Sequence, residues 1–355
     1  RATEWMYKAS TWSLLYSTMV AALAASFAPA GGAPKAGRRA AARCRASADA
    51  NTKTFRITAP EGWTPPEPKK FTVAEGNLGN VISAAVPLVL RLGTGALVNG
   101  YAPSLVDDDD ATKYSIVRFA GKRLAEASAL GPRPALPIEV FEYEGSPYCR
   151  KVREACACLD LDVVYRPCPS GESYWRPMAK AEGAATFPYM KDPNTGASMC
   201  ESDDIVEHLF RNYGPTAGSG LPADADAKAL GVPFMLRRGG ITNITCYAAA
   251  VARLKGLRAR PSRASEAASA GEPVEPLVLW TYESSPFTKA VREALTEMAI
   301  PHVVRYCPRG SVSKRDELLA KTGTFQVPYL EDPNTGVAMF ESAAMVDYLE
   351  KTYSL

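Results

Sequence analysis

Histidine is nearly missing from this chain, with two in 355 residues, and its eight cysteines lie without a zinc-type spacing. Cys156 and Cys158 stand two apart on a predicted helix and so point to different sides, which places them poorly to chelate one ion together; they read as small buried side chains. A surplus of one charge is also missing: the formal net charge is +3, too small to argue for nucleic acid. Long apolar runs are missing too. Leu14 to Ala25 is too short to span a bilayer. Asn80 to Val98 would have to bury Arg91 near its middle at roughly 2.5–3.5 kcal/mol, so it reads as a helix packed on the domain that follows or lying at a membrane surface. Asp and Glu do not occur between Trp5 and Ala48, where Lys8, Lys35, Arg38, Arg39, Arg43 and Arg45 carry the charge. The remainder, 46% hydrophobic and 22% charged over the whole chain, is ordinary globular composition with room for two or three domains.

What is present is one element used twice. Glu144 to Glu154, Glu-Gly-Ser-Pro-Tyr-Cys-Arg-Lys-Val-Arg-Glu, returns 139 positions later as Glu283 to Glu293, Glu-Ser-Ser-Pro-Phe-Thr-Lys-Ala-Val-Arg-Glu. In each copy an apolar run (Ile138 to Tyr143, Leu277 to Tyr282) meets a Ser-Pro turn and then a helix pattern. Pro147 and Pro286 suit the first helical turn, where a missing N–H costs nothing. Ser146 and Ser285 then fall at the N-cap, beside free backbone donors and the positive end of the helix dipole.

The parallel continues from Pro137 to Tyr213 and from Pro276 to Tyr353. Val152, Ala155, Cys156 and Leu159, and likewise Val291, Ala294, Leu295 and Met298, follow helical spacing and predict a face that covers a sheet. A strand ends near Cys168-Pro169 or Cys307-Pro308, and a polar helical stretch leads to Phe187-Pro188-Tyr189 or Val327-Pro328-Tyr329. The identical turns Asp192-Pro193-Asn194-Thr195-Gly196 and Asp332-Pro333-Asn334-Thr335-Gly336 then predict hairpins. Glu201-Ser202 and Glu341-Ser342 open a last amphipathic helix in each copy.

This β-α-β-α-β-β-α order, with Ser-Pro-Tyr-Cys at the first helix, a proline opening the third strand and Glu-Ser at the last helix, resembles the thioredoxin-like N-terminal domain of glutathione S-transferases, with glutaredoxins behind it. Two in tandem resemble plastid proteins of plants and algae that carry the domain duplicated. The implied fold class is α/β: two tandem thioredoxin-like domains, each a four-stranded mixed sheet flanked by helices, after a poorly ordered N-terminal extension. The resemblance makes Pro188 and Pro328 the cis-prolines, with Phe187 and Val327 presenting backbone groups to the cysteinyl part of glutathione. It assigns the γ-glutamyl end to Glu201 and Ser202, and to Glu341 and Ser342, since a carboxylate answers an ammonium and a hydroxyl with helix N–H groups answers a carboxylate. Residues 24–29, Ala-Ala-Ser-Phe-Ala-Pro, resemble the junction of a bipartite plastid presequence, and the acid-free tail after them resembles a transit peptide.

The expected organisation is 1–48 presequence, 49–135 extension, 136–214 first domain, 215–274 linker with one helix (Ile244 to Leu257) and a flexible tail from Arg260 to Glu275, and 275–355 second domain. Cys149 and Ser146 are the candidates for chemistry in the first copy, and Ser285 for glutathione contact in the second. Dithiol exchange within either motif is excluded, because Ser146 replaces the first thiol and the second copy has only Ser285 and Thr288. A serine there matches theta- and zeta-like transferases, whose hydroxyl donates to the thiolate of glutathione. The all-helical domain that forms the second-substrate pocket in those enzymes does not follow either copy. The expected ligand is therefore glutathione or a glutathionylated protein, with no nucleic acid, a peripheral membrane contact through 80–98, and a pseudo-dimer of the two domains left open. Weak Ser-type transferase or thiol-redox activity and a non-catalytic tandem scaffold for a protein partner both remain consistent with the residues.

Overall fold

The computed structural model describes residues 57–69, 72–171 and 173–355; the presequence-like stretch 1–48 lies outside them. The first helix, α1 (Leu78–Leu90), contains no charged residue and ends where Arg91, 1% exposed, turns inward to Glu154 at 2.6 Å. At 13 residues it is about 20 Å long, and among the described residues no helix is long and apolar enough to cross a membrane. Three antiparallel strands follow, β1 (Ala102–Asp107), β2 (Arg118–Phe119) and β3 (Lys122–Ala127), in the order β1-β3-β2. The described part of the extension thus carries its own helix and sheet.

The first copy then runs β4 (Ile138–Glu142), α2 (Pro147–Cys158), β5 (Asp162–Pro167), α3 (Trp175–Ala181), β6 (Tyr189–Asp192), β7 (Ala197–Met199) and α4 (Ser202–Tyr213). Between the copies stand α5 (Gly240–Val251) and α6 (Arg263–Ser269). The second copy repeats the series as β8 (Leu277–Thr281), α7 (Pro286–Glu297), β9 (His302–Tyr306), α8 (Val312–Thr322), β10 (Tyr329–Asp332), β11 (Val337–Met339) and α9 (Ser342–Tyr353). In each, the first two strands are parallel and the hairpin strands add antiparallel. The repeated turns owe their geometry to Asp192 and Asp332, whose Oδ1 accepts from the N–H of Asn194 or Asn334 while Oδ2 accepts from the hydroxyl of Tyr213 or Tyr353. One carboxylate in each copy thereby fastens the hairpin to the last helix.

The two four-stranded sheets are one. Strand β5 pairs antiparallel with β9, with Asp162 opposite Arg305 and Tyr165 opposite His302, giving an eight-stranded sheet in the order β11-β10-β8-β9-β5-β4-β6-β7. Each copy thus covers an edge strand of the other, which removes a row of unpaired backbone groups from solvent. Above this seam the repeated Glu and Arg residues interlock. Arg153 meets its own Glu144 at 3.3 Å and the other copy's Glu283 at 3.1 Å; Arg292 meets its own Glu283 at 2.9 Å and the other copy's Glu144 at 2.9 Å. All four are nine-tenths buried or more. Burial opposes ionisation of Glu144, but Arg153, Lys289 and Arg292 together outweigh it and hold its carboxyl well below the usual range.

The linker differs from the sequence expectation. Its helix begins at Gly240 and stops at Val251, after which the Arg253 N–H closes a tighter turn on Ala250 O and its side chain pairs with Glu293. The tail expected to be flexible contains α6, capped by the Ser262 hydroxyl accepting from Ser265 N–H at 3.2 Å, with Ala264 and Ala267 buried. Alanines give too weak a hydrophobic signal for this face to be read from sequence.

The duplication also reaches further than the two thioredoxin-like copies. Arg91 donates to Thr242 O and Thr245 Oγ1 on α5, and Arg253 donates to Asn80 O and Ser83 Oγ on α1. Each α1 residue in this set has its α5 counterpart 162 positions later. Each arm then crosses the seam. Gly95 lies where an added Cβ would come 3.1 Å from Glu283 Cβ, and Gly256 where one would come 2.8 Å from Glu144 Cβ, both at positive φ, so both positions demand glycine. The repeated unit is therefore helix, arm and thioredoxin-like domain.

Replacing Arg292 by Met should destabilise the full chain by about 3–5 kcal/mol, because Glu144 and Glu283 would then be buried with too little positive charge. Urea unfolding measures it, and a loss below 1 kcal/mol would mean that water or rearrangement neutralises the carboxylates.

Candidate functional site

The site residues read from sequence fall at three points in each copy: the N-terminus of the first helix, the loop before the third strand, and the start of the last helix. Both X-Pro bonds at the middle point, Phe187-Pro188 and Val327-Pro328, are cis. Glu201 and Glu341 have φ of 67° and 71°, a conformation costing on the order of 1–3 kcal/mol in a non-glycine residue. Both copies hold a glutamate in this conformation at the start of the last helix.

In copy 2 the three points open on one cleft of about 510 Å³ lined by Ser285, Val327, Pro328, Glu341 and Ser342, within the range of small-molecule sites. Glu341 Oε1 accepts from Gln326 Nε2 at 2.9 Å and from Lys69 N–H at 2.7 Å. The equivalent pair in copy 1 is longer, with Thr186 Oγ1 at 3.5 Å from Glu201 Oε1. Glu201 is exposed and Ser202 is buried at the start of α4, and Phe187 lies under the Arg176 guanidinium, 5.0 Å from the ring centre.

The hydroxyls of the two copies differ. Ser146, 1% exposed, accepts the Cys149 N–H at 3.2 Å and so is engaged as a helix cap. Ser285 makes no side-chain cap bond and lines the cleft. Ser285 is buried too, at 3% exposed, and a hydroxyl that accepts an N–H keeps its own proton to donate, so the two serines differ in the capping bond and in the cleft that Ser285 lines. Cys149 is corrected more firmly: it is fully buried, and burial pushes its thiol up to about 12, so almost none is thiolate at neutral pH. The cause is burial in the first turn of α2, where nearby Glu142 adds to it and the hydrogen bonds with Ser146 and the Tyr143 backbone do not outweigh it.

Sequence reasoning missed the cleft's far wall. It is the loop between β1 and β2, docked on α8: Tyr114 N–H donates to Asp316 Oδ1 at 2.7 Å, Lys113 pairs with Asp316 at 3.1 Å, and the Tyr114 ring sits 4.6 Å from Phe325. Arg315 lies over both rings, at 4.9 and 4.5 Å, and its backbone-directed bonds to Cys307 O and Pro308 O fix it there. The one available signal was that Arg176 and Arg315 recur 139 positions apart.

Residues 140–217 and 279–355 each match the family described as Glutathione S-transferase, N-terminal domain. The two copies are glutathione S-transferase N-terminal domains in tandem. Neither a curated protein nor a solved structure matches the chain. Residues between Lys69 and Arg118 of the preceding extension line the copy-2 cleft and build its second wall. Among the described residues no cluster of metal-ligating side chains exists.

Among the described cysteines Cys200 alone is partly exposed, the other six being buried. Iodoacetamide should therefore label Cys200 in the native full chain and leave Cys149 untouched until denaturant is added. Mass-spectrometric detection of a Cys149 adduct on folded protein would contradict the burial.

Proposed function

We propose that the chain binds glutathione, or the glutathionyl group of a glutathionylated protein, foremost in the copy-2 cleft. The observation that carries this reading is the convergence of the cis Val327-Pro328 bond, Ser285 and the Glu341-Ser342 pair on a single open cleft. Ser342 and the first N–H groups of α9 would take the γ-glutamyl carboxylate, Glu341 the ammonium, and the backbone of Val327 the cysteinyl residue. The Ser285 hydroxyl at the N-terminus of α7 would face the sulfur. Lowering a thiol from about 8.5 to about 6.5 takes roughly 2.7 kcal/mol, and a helix terminus (about 0.3–1) with a hydrogen bond to a charged group (about 1.5–3) can supply it. Thiolate formation on the ligand is therefore within reach without an enzyme cysteine, which favours Ser-type transferase chemistry over thiol exchange; the scaffold reading keeps the same ligand cleft without turnover.

Calorimetric titration of glutathione into the full chain tests this. Glu341→Ala should weaken binding about tenfold to a hundredfold, the range of a charge-assisted hydrogen bond, and Glu201→Ala should remove a second, weaker site. No heat at millimolar glutathione would overturn the reading.

A second reading, contact with a membrane surface in the plastid, is favoured by one observation. Leu78, Ile82 and Val89 on α1, and Ile241, Ile244 and Val251 on α5, are each 59–71% exposed, and neither helix carries a charge. These helices pack on one another, so the expected contact through 80–98 gains a counterpart from α5. Full-length chain imported into isolated plastids should sediment with membranes and be released by carbonate, and Val89→Asp with Val251→Asp should move it to the soluble fraction. Failure to import would remove the plastid address; a soluble imported wild type would remove the membrane contact.

A further inference from the structure

The two copies hold the same glutamate in the same backbone conformation but give its carboxylate different surroundings. Glu341 makes no cap bond within α9, so its side chain answers only to groups from elsewhere in the fold. Its Oε1 accepts from Gln326 Nε2 at 2.9 Å and from the backbone N–H of Lys69 at 2.7 Å, while its Oε2 has no hydrogen-bond partner among the described residues. Lys69 stands 272 positions before Glu341 and belongs to neither thioredoxin-like domain. It is held in place from both directions. Upstream, Trp63 packs on Tyr348 of α9 with ring centres 4.9 Å apart, and Ile57 is buried in the copy-2 core. Downstream, Asn77 at the start of α1 lines the same cleft as Lys69 and Glu341. Glu201 in copy 1 has no such strap beside it: it is exposed, and among the described residues only the Thr186 hydroxyl comes near its Oε1, at 3.5 Å.

We infer that the Lys69 N–H is a positioning group of the copy-2 site: the extension holds one oxygen of Glu341 in place and leaves the other to meet the ammonium of a γ-glutamyl ligand. The inference rests on the glutathione reading for the identity of that ligand. A glutamate side chain that is free to turn must be immobilised when its ligand binds, whereas a carboxylate fixed beforehand by two N–H donors has already been ordered. Both donors sit on Oε1, so Oε2 keeps its capacity to accept. A backbone N–H suits this role because only proline, among side-chain replacements, removes it. Lys69 therefore acts through Glu341 and not on the ligand. The preordering makes copy 2 the tighter of two sites that carry the same Glu-Ser pair.

The test titrates glutathione calorimetrically into the full chain, into Lys69→Pro, and into Glu67→Pro, which places the same ring two residues earlier at an exposed position. Lys69→Pro should weaken the copy-2 site about threefold to tenfold, the range for freeing one side chain. Glu67→Pro should match the wild type, and the weaker site assigned by Glu201→Ala should keep its affinity in every proline variant. In a Glu341→Ala background Lys69→Pro should cost nothing more, a result that general damage to the fold would not give. Unchanged or tighter binding by Lys69→Pro would overturn the inference and leave the glutathione reading standing, the tighter case marking the strap as a competitor for Glu341. An equal loss with and without Glu341, or a loss shared by both sites, would overturn it too, because the proline would then act on the chain and not through the carboxylate. No heat from the wild type would remove the glutathione reading and this inference with it.

Discussion

The structure depends on a pair of arginines shared between two halves of one chain. Arg153 and Arg292 each hold a carboxylate of their own copy and one of the other, above a seam where β5 and β9 continue a single sheet. Neither copy can leave without stranding buried charge, and neither can slide, because the ion pairs fix the register that the strand pairing alone would leave adjustable. The arms from α1 and α5 lock the same seam, running past Glu283 and Glu144 through glycines that admit no side chain. Interlocking makes the tandem a single body and not two domains on a tether.

A duplicated core of this kind confines difference to what is not duplicated. The two copies share the cis-proline, the strained glutamate and the serine, yet the hairpin sheet from the extension lies against copy 2 through Asp316, Gly310 and Phe325. One copy thus receives a walled cleft, while in the other the serine is engaged as a helix cap and the carboxylate faces solvent. The extension forms that wall by returning across the seam to the far copy. The described cysteines at and around the motif are packed into the core, where burial suppresses ionisation, with Cys149 pushed up to about 12.

Sequence alone determined the repeated domain, the order of its elements and the hairpin turns, because these follow from local rules: a proline in the first helical turn, apolar spacing, an Asp-Pro-Asn turn closed by glycine; the cis-prolines and the part played by the Glu-Ser pairs came from the family resemblance. Duplication amplified each signal. The second wall of the cleft was not legible, since Tyr114 and Phe325 are more than two hundred positions apart and nothing in either segment announces the other. The equivalence of α1 and α5 was hidden for a related reason: their residues differ, and what they share is Arg91 and Arg253 reaching into opposite halves, a relation that exists only in three dimensions. Tertiary structure also decided which hydroxyl caps its helix. Ser146 and Ser285 occupy the same motif position, and local pattern cannot distinguish them; the packing around each helix start, with a capping bond in one copy and an open cleft in the other, does.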